Sequence, residues 1–333
     1  MRKALYGLSR ERSQSNRRAE FAARRRIDAG DIRLALSLPV YFLLAWLLPE
    51  RLWAPLCRGL AAIGPTRNSL IPRIARFGAV PGGRTPEAIV RALEAGRREH
   101  YLQILRAYRP GGWRPDLAIE GLEHLDAALA GGKGALLWVD HFVFNGLAPK
   151  QALFEAGRPF FHVSRPEHGF SKTAFGVRFL NPVRRRIEDR FLAGRIVIER
   201  GREAATIREI RRRLAEGHAV SITAGAWEGR RIAEVPFFGG LMPLATGAPR
   251  IAAVAGTPLL PLAVIRDPVT GRLSVIIEPP LREHGMCDRE SSGREEPAEA
   301  LLEAYARRLE PRVAAASDQW RGWNYLRPAG GES

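Results

Sequence analysis

The chain has 333 residues, 46% of them hydrophobic and 26% charged, which is enough apolar material for a sizeable core and too much for a chain disordered throughout. Fifty-two Lys and Arg stand against 35 Asp and Glu, a formal charge of +17, so an acidic partner is expected: nucleic acid, an anionic membrane leaflet or an acidic carrier protein. The two cysteines, Cys57 and Cys287, lie far apart with no CxxC spacing; no disulfide framework and no zinc site can be read from them, and the default location is reducing and cytoplasm-facing.

Residues 1–30 hold nine Arg or Lys against three acids, clustered at Arg24, Arg25 and Arg26. An uncharged run follows, Leu34 to Leu48 (LALSLPVYFLLAWLL). At 1.5 Å per residue it covers roughly 22 Å, short of a ~30 Å hydrocarbon core, and Pro39 is expected to interrupt its early part. A tilted, shallow or re-entrant anchor and a full span both remain open. Cleavage as a signal peptide is disfavoured, because no small-x-small site follows in PERLWAPLCRG. If the run spans, the basic flank stays in the cytoplasm; if it dips, both flanks do.

Residues 56–108 read as helical, with Pro86 at a helix start where its missing N–H costs nothing. From residue 117 strand-like and helix-like segments alternate: LAIEG, LEHLDAALAGG, ALLWVDHF, LAPKQALFEAG and PFFHVSR, then AATIREIRRRLAEG, AVSITAG, GAPRIAAVAG, PLLPLAVI and LSVIIEPPL. That rhythm predicts an α/β fold with a mixed or mostly parallel sheet flanked by helices, preceded by an N-terminal hydrophobic membrane-anchoring helix. The run Arg184 to Arg186 reads as loop, and Arg208 to Arg213 as helix.

The strand ALLWVD runs into His141, placing an imidazole at a strand's carboxyl end, where active sites of open α/β sheets gather. An imidazole titrating near neutrality can take a proton from a hydroxyl, which attack on a thioester requires. A turn histidine with no chemistry is the alternative for any lone His.

Several stretches taken together resemble the lipid A late acyltransferases, the lauroyl and myristoyl transferases of the lysophospholipid acyltransferase superfamily. They are IEGLEHLDAALAGGKGALLWVDHF (119–142), VSRPEH (163–168), EVPFFGGLMPLATGAPRIAAVAGTPLLPL (234–262) and the tail DQWRGWNYLRP (318–328). The resemblance implies an inner-membrane acyltransferase of lipid A and lipopolysaccharide biosynthesis, with its catalytic domain on the cytoplasmic face. It would take a fatty acyl group from acyl-carrier protein or acyl-CoA to a hydroxyl of an anionic lipid acceptor, without cofactor or metal. The implied organisation is a basic segment 1–30, a membrane anchor 31–55 and an acyltransferase domain 56–333.

In that family the histidine is followed by an acid in HxxxxD or HxxxxE. His141 matches the histidine, but the acid position is Gly146. Three readings stay open: another carboxylate serves, from Asp140, Glu155 or Glu228; the histidine works unassisted, held by Asn145; or the protein is a noncatalytic or repurposed lipid-binding member. Arg165 matches the family's arginine block, where a guanidinium fork would pair with acceptor phosphate or carboxylate. The order Glu228-Gly229-Arg230 resembles an acceptor block, Glu228 orienting a hydroxyl and Arg230 holding a phosphate. Phe237, Phe238 and the apolar residues of 241–262 would line an acyl chain or pack as core.

A nucleic-acid-binding reading fits the charge alone. No helix-turn-helix, zinc spacing or RNP-like motif accompanies it, and it leaves the apolar run without a purpose.

Overall fold

The computed structural model describes residues 26–64, 68–77, 83–199, 201–225, 231–281 and 296–328. The apolar run lies within a helix, α1 (Ala29–Leu47), long and apolar enough to be a candidate membrane anchor. Its first turn closes with a capping box in which Asp28 accepts from the Asp31 N–H at 2.8 Å and Asp31 accepts from the Asp28 N–H at 3.2 Å. Pro39 does not end this helix, contrary to expectation. It sits on the exposed side, and packing of the opposite face holds the turns on either side of the lost hydrogen bond.

Three more helices complete the first layer: α2 (Trp53–Ile63), α3 (Ile71–Ala75) and α4 (Pro86–Arg106). Pro86 opens α4, and the Thr85 side chain caps it by accepting from the Ala88 N–H at 3.2 Å. α4 is the pillar of this layer, buried along most of its length with α1 and α2 packed against it.

The α/β alternation then proceeds as β1 (Leu117–Glu120), α5 (Leu122–Ala130), β2 (Ala135–Val139), α6 (Ala148–Glu155), β3 (Phe161–Ser164), α7 (Asn181–Glu188), β4 (Gly194–Val197), α8 (Glu203–Ala215) and β5 (Ala219–Thr223). The hairpin β6 (Ile232–Phe237) and β7 (Gly240–Ala245) follows, then α9 (Gly247–Ala255), β8 (Leu259–Arg266), β9 (Leu273–Ile277), α10 (Glu296–Ala315) and the short β10 (Arg327–Pro328).

Seven strands form one sheet in the order β1-β9-β8-β2-β5-β3-β4. β8, β2, β5, β3 and β4 run parallel, while β9 is antiparallel to β8 and parallel to β1. The sheet is therefore mixed and mostly parallel, flanked by helices. β2 lies between β8 and β5 and is buried at every residue, as expected of a parallel strand covered on both faces, whose sequence is an unbroken apolar run. Gly134 admits the chain to β2 with φ at +64°, where a Cβ would fall 2.5 Å from the His218 carbonyl oxygen.

One segment differs from expectation, and the sequence did not predict the form of another. Arg184 to Arg186 is helical, inside α7, because Pro182 starts the helix and the Arg184–Glu188 pair closes one turn of it. Residues 232–245 form the β6–β7 hairpin, which joins β10 in a second, antiparallel sheet. Its turn uses Phe238 and Gly239, with φ at +47° and +71°, as a two-residue hairpin turn demands. The strained Phe238 is held by its N–H, which donates to Glu310 at 2.7 Å.

Candidate active site

Asp140 and His141 leave β2 at its carboxyl end. The Asp140 N–H donates to the Leu262 carbonyl of β8 at 2.8 Å, and the Ala224 N–H after β5 donates to the Val139 carbonyl at 2.8 Å, so both neighbouring strands fix where His141 emerges. Beyond that point the C-terminal tail runs alongside. Arg321 N–H donates to the His141 carbonyl at 2.8 Å, Val143 N–H donates to the Gln319 carbonyl at 2.9 Å, and Phe142 forms a β-bridge with Trp320. The Gln319 side chain is bonded in turn to both backbone groups of Arg266 at the end of β8.

The His141 ring lies 5.8 Å from the ring of Tyr325 and lines a small pocket. Met242 and Leu244 of β7, Leu309 and Tyr305 of α10, and Trp320 of the tail give this pocket apolar walls. Among the described residues, burial comes first in setting the proton affinity of His141, followed by the Arg321 guanidinium; together they push the imidazole down to about 3, against a hydrogen bond with the Ala224 backbone that favours the charged form. The ring is neutral at physiological pH. Phe237 is core, its ring tilted against that of Trp320 with 5.4 Å between ring centres.

The carboxylates named as substitutes for the missing acid are engaged as follows. Asp140 is buried and accepts a hydrogen bond from Tyr305; burial pushes its pKa up to about 7, although the Tyr305 hydroxyl opposes the shift. Glu155 accepts from Gln151 at 2.8 Å on α6. The side-chain oxygen of Asn145 accepts from the Val264 N–H within β8 at 3.1 Å. Glu228 and Arg230 lie outside the described residues. Their described flanks are Gly225, which lines the pocket beside His141, and Arg231, whose carbonyl accepts from the Thr246 N–H at 3.1 Å.

Gly146, at the family's acid position, faces the ring of His100 on α4: a Cβ there would fall 2.2 Å from Cε1 and 2.8 Å from Nε2. His100 is buried, and burial followed by Arg184 holds it neutral, well below the usual histidine range. From the other side the Lys150 ammonium donates to the Gly146 carbonyl.

Arg165 follows directly on β3. The registers pair Val139 with Thr223 and His162 with Ser221, so Arg165 and His141 emerge at the same edge of the sheet, about 10 Å apart across two strand spacings. Its turn is closed by the His168 N–H, which donates to the Arg165 carbonyl at 3.0 Å. His168 Nε2 meets the carboxylate of Glu188 at 2.8 Å.

Glu188, fully buried at the end of α7, is the hub of a charge cluster that the sequence reading missed. Arg184 Nε approaches it at 2.6 Å, Arg195 Nη2 at 3.1 Å and Lys150 Nζ at 3.7 Å. Burial alone would raise the Glu188 pKa, but Arg184, Lys150 and His168 hold it well below the usual carboxylate range. Burial lowers Lys150 to about 8 and His168 to about 4. Five chain positions from 150 to 195 meet here, and only the i,i+4 spacing of Arg184 and Glu188 was a local signal. Among the described residues no group of three or more His, Cys, Asp or Glu is placed to hold a metal ion.

Residues 109–323, which carry most of this site, match the model of the bacterial lipid A biosynthesis acyltransferase family. The chain belongs to that family. It is thus an acyltransferase, with an acyl donor and a lipid acceptor as its substrates. No curated protein sequence matches the chain. For this acyltransferase, the pocket walls contributed by β7, α10 and the tail are apolar surface next to the family's histidine position.

Proposed function

We propose that this acyltransferase moves a fatty acyl group from acyl-carrier protein or acyl-CoA to a hydroxyl of an anionic lipid acceptor, a lipid A precursor, at the cytoplasmic face of a bacterial inner membrane. The observation that carries this reading is the position of His141: it ends the central buried strand and opens onto an apolar pocket, in a chain of this family.

His141 acts as general base. Its hydrogen bond with the Ala224 backbone fixes one tautomer, and the neutral ring takes the proton of the acceptor hydroxyl. The oxygen attacks the thioester carbonyl; the tetrahedral intermediate collapses, the C–S bond breaks, and the departing thiolate receives the proton from the imidazolium. Arg165 pairs with an acceptor phosphate from the end of β3, two strands away. Glu228 orients an acceptor hydroxyl and Arg230 holds a phosphate, the roles that the family's acceptor block implies for them. The acyl chain lies against Met242, Leu244 and Leu309, gaining about 0.8 kcal/mol per buried methylene. The basic segment 1–30 and the anchor 31–55 hold the domain 56–333 at the membrane.

A second reading, a lipid-binding member without transfer, is favoured by one observation: His100 occupies the space a side chain at Gly146 would need. One assay separates them. Labelled acyl-carrier protein and acyl-CoA are offered with a panel of lipid acceptors to the unsubstituted protein and to His141→Ala. Transfer that falls by about 10² to 10⁴ in the variant is expected. Unchanged transfer would remove His141 from the mechanism, and lipid binding with no transfer to any acceptor would establish the second reading.

A further inference from the structure

We infer that α1 does not cross the bilayer but lies in its surface plane, presenting one apolar face to anionic lipid while the opposite face stays docked on the enzyme. The inference rests on the membrane association proposed above and specifies its geometry.

The helix is tied to the body of the protein along its whole length, about 28 Å at 1.5 Å per residue. At its start the Thr173 hydroxyl donates to Asp31, which is buried, and the Phe175 N–H donates to the Arg26 carbonyl at 2.9 Å. In the middle, Tyr41 packs edge-on against Tyr101 of α4 at 5.6 Å. At its end the Arg106 guanidinium caps the Ala45 and Leu48 carbonyls, Arg109 reaches the Trp46 carbonyl at 3.1 Å, and the Trp46 indole donates to the Leu105 carbonyl at 3.1 Å. A perpendicular crossing would draw α4 into the hydrocarbon with α1, and α4 carries Glu94, Arg97, Arg98 and Glu99 on consecutive turns. Charges at that depth are strongly disfavoured.

The outward face is as informative. Ile32, Leu36, Val40, Leu43 and Leu47 follow one another at spacings of three or four residues, one face of a helix, and all are exposed, Leu36 by 74% and Leu47 by 78%. Leu52 and Ile63, the latter 85% exposed at the end of α2, add exposed apolar side chains in the same N-terminal layer. An exposed apolar helix face of this kind marks an interaction site.

Charge selects the occupant. Among the described residues of 26–76, Arg26, Arg33, Arg51, Arg58, Arg73 and Arg76 are exposed, whereas the acids of the same stretch, Asp28, Asp31 and Glu50, are buried or half-buried. Apolar side chains flanked only by exposed guanidinium groups fit an anionic phospholipid surface, with the helix seated at the boundary between headgroups and acyl chains.

Two experiments on the full chain test the geometry. Single cysteines replace Ala29 and Arg51 in turn, in a background with Cys57→Ala and Cys287→Ser, and a membrane-impermeant maleimide is applied to spheroplasts and to inverted membrane vesicles. Labelling of both positions from the same membrane face is expected; labelling from opposite faces would establish a span and overturn the inference. Separately, with native cysteines, binding to phosphatidylglycerol vesicles is compared with binding to phosphatidylcholine vesicles. Leu36→Glu combined with Leu47→Glu should weaken phosphatidylglycerol binding at least tenfold while the thermal midpoint stays within a few degrees. Unchanged vesicle binding, or a face that mediates self-association in place of vesicle binding, would overturn it. Acyl transfer by the unsubstituted protein in detergent is measured alongside, so that an inactive protein labelled from one face refutes the function and leaves the helix placement standing.

Discussion

A Cβ at Gly146 would lie 2.2 Å from Cε1 of His100, closer than any two such atoms can approach. The position where the family carries an acid is therefore filled from across the fold by an imidazole, and glycine is the residue that leaves it room. Gly146→Ala should destabilise the protein by about 1–3 kcal/mol, the usual cost of overpacking a buried site. Combined with His100→Ala, much of that cost should disappear, and a double-mutant cycle in urea would read the coupling. Strict additivity would show that the two side chains do not compete for one space. Gly146→Glu alone should lower stability and bring no gain in acyl transfer.

Glu188 is the only carboxylate among the described residues to meet Arg184, Arg195, Lys150 and His168 together. Removing its charge strands buried cations, a change that typically costs 3–5 kcal/mol. Glu188→Gln is expected to shift the urea midpoint accordingly. Because His168 closes the turn that carries Arg165, the same variant should also weaken acceptor binding, seen as a rise in KM for the lipid.

The buried histidines set the acid sensitivity. In the folded protein His168 is lowered to about 4 and His141 to about 3, whereas an unfolded histidine titrates near 6.5. The unfolded chain therefore takes up protons first, and the stability these groups contribute is complete above about pH 6.5 and is lost as pH falls toward 4, by up to ~1.4 kcal/mol per pH unit for each group. The thermal midpoint should drop between pH 7.5 and pH 5, and His168→Gln should flatten that slope.

Asp140 titrates in the opposite sense. Its folded pKa is raised to about 7 by burial, so its contribution is complete below about pH 4 and disappears as pH rises through 7. Asp140→Asn should gain stability relative to the unsubstituted protein at pH 8 and lose that advantage at pH 5. Tyr305→Phe, which removes the hydroxyl that donates to the carboxylate, should enlarge the alkaline loss. Denaturant titrations at the two pH values check both.

The lowered His141 pKa also bears on catalysis. kcat/KM reports the ionisation of the free enzyme, so its acid limb should show no midpoint near 6.5. A clear limb there, absent from a kinetically characterised His141 variant, would mean that the imidazole is far better solvated in the working enzyme than in this structure.

Much of the fold was legible from residue 117 onward because buried parallel strands leave an unmistakable trace. ALLWVD is apolar without alternation and is bounded by glycine, and it became the central strand with His141 at its end. Helices such as α8, with Ile210 and Leu214 turned inward, announced themselves by period. The β6–β7 hairpin was not legible: its tight turn uses Phe238 in a left-handed conformation supported by distant contacts with Glu310 and Trp323, and its apolar residues suited an acyl-chain lining or a core equally well.

By itself the sequence determined most of the α/β alternation, the family and the strand end on which the histidine stands, because apolar periodicity and motif spacing are local properties. Only the tertiary structure decided what His141 meets. Residues 319–325 pair beside it from nearly two hundred residues away, His100 closes the space at Gly146, and Glu188 gathers its cations from positions 150 to 195. The same packing turns α1 from an apolar run of undecided depth into a helix with a docked face and an exposed one. Such contacts depend on which distant surfaces the hydrophobic core brings together, and that information resides in no single window of the chain.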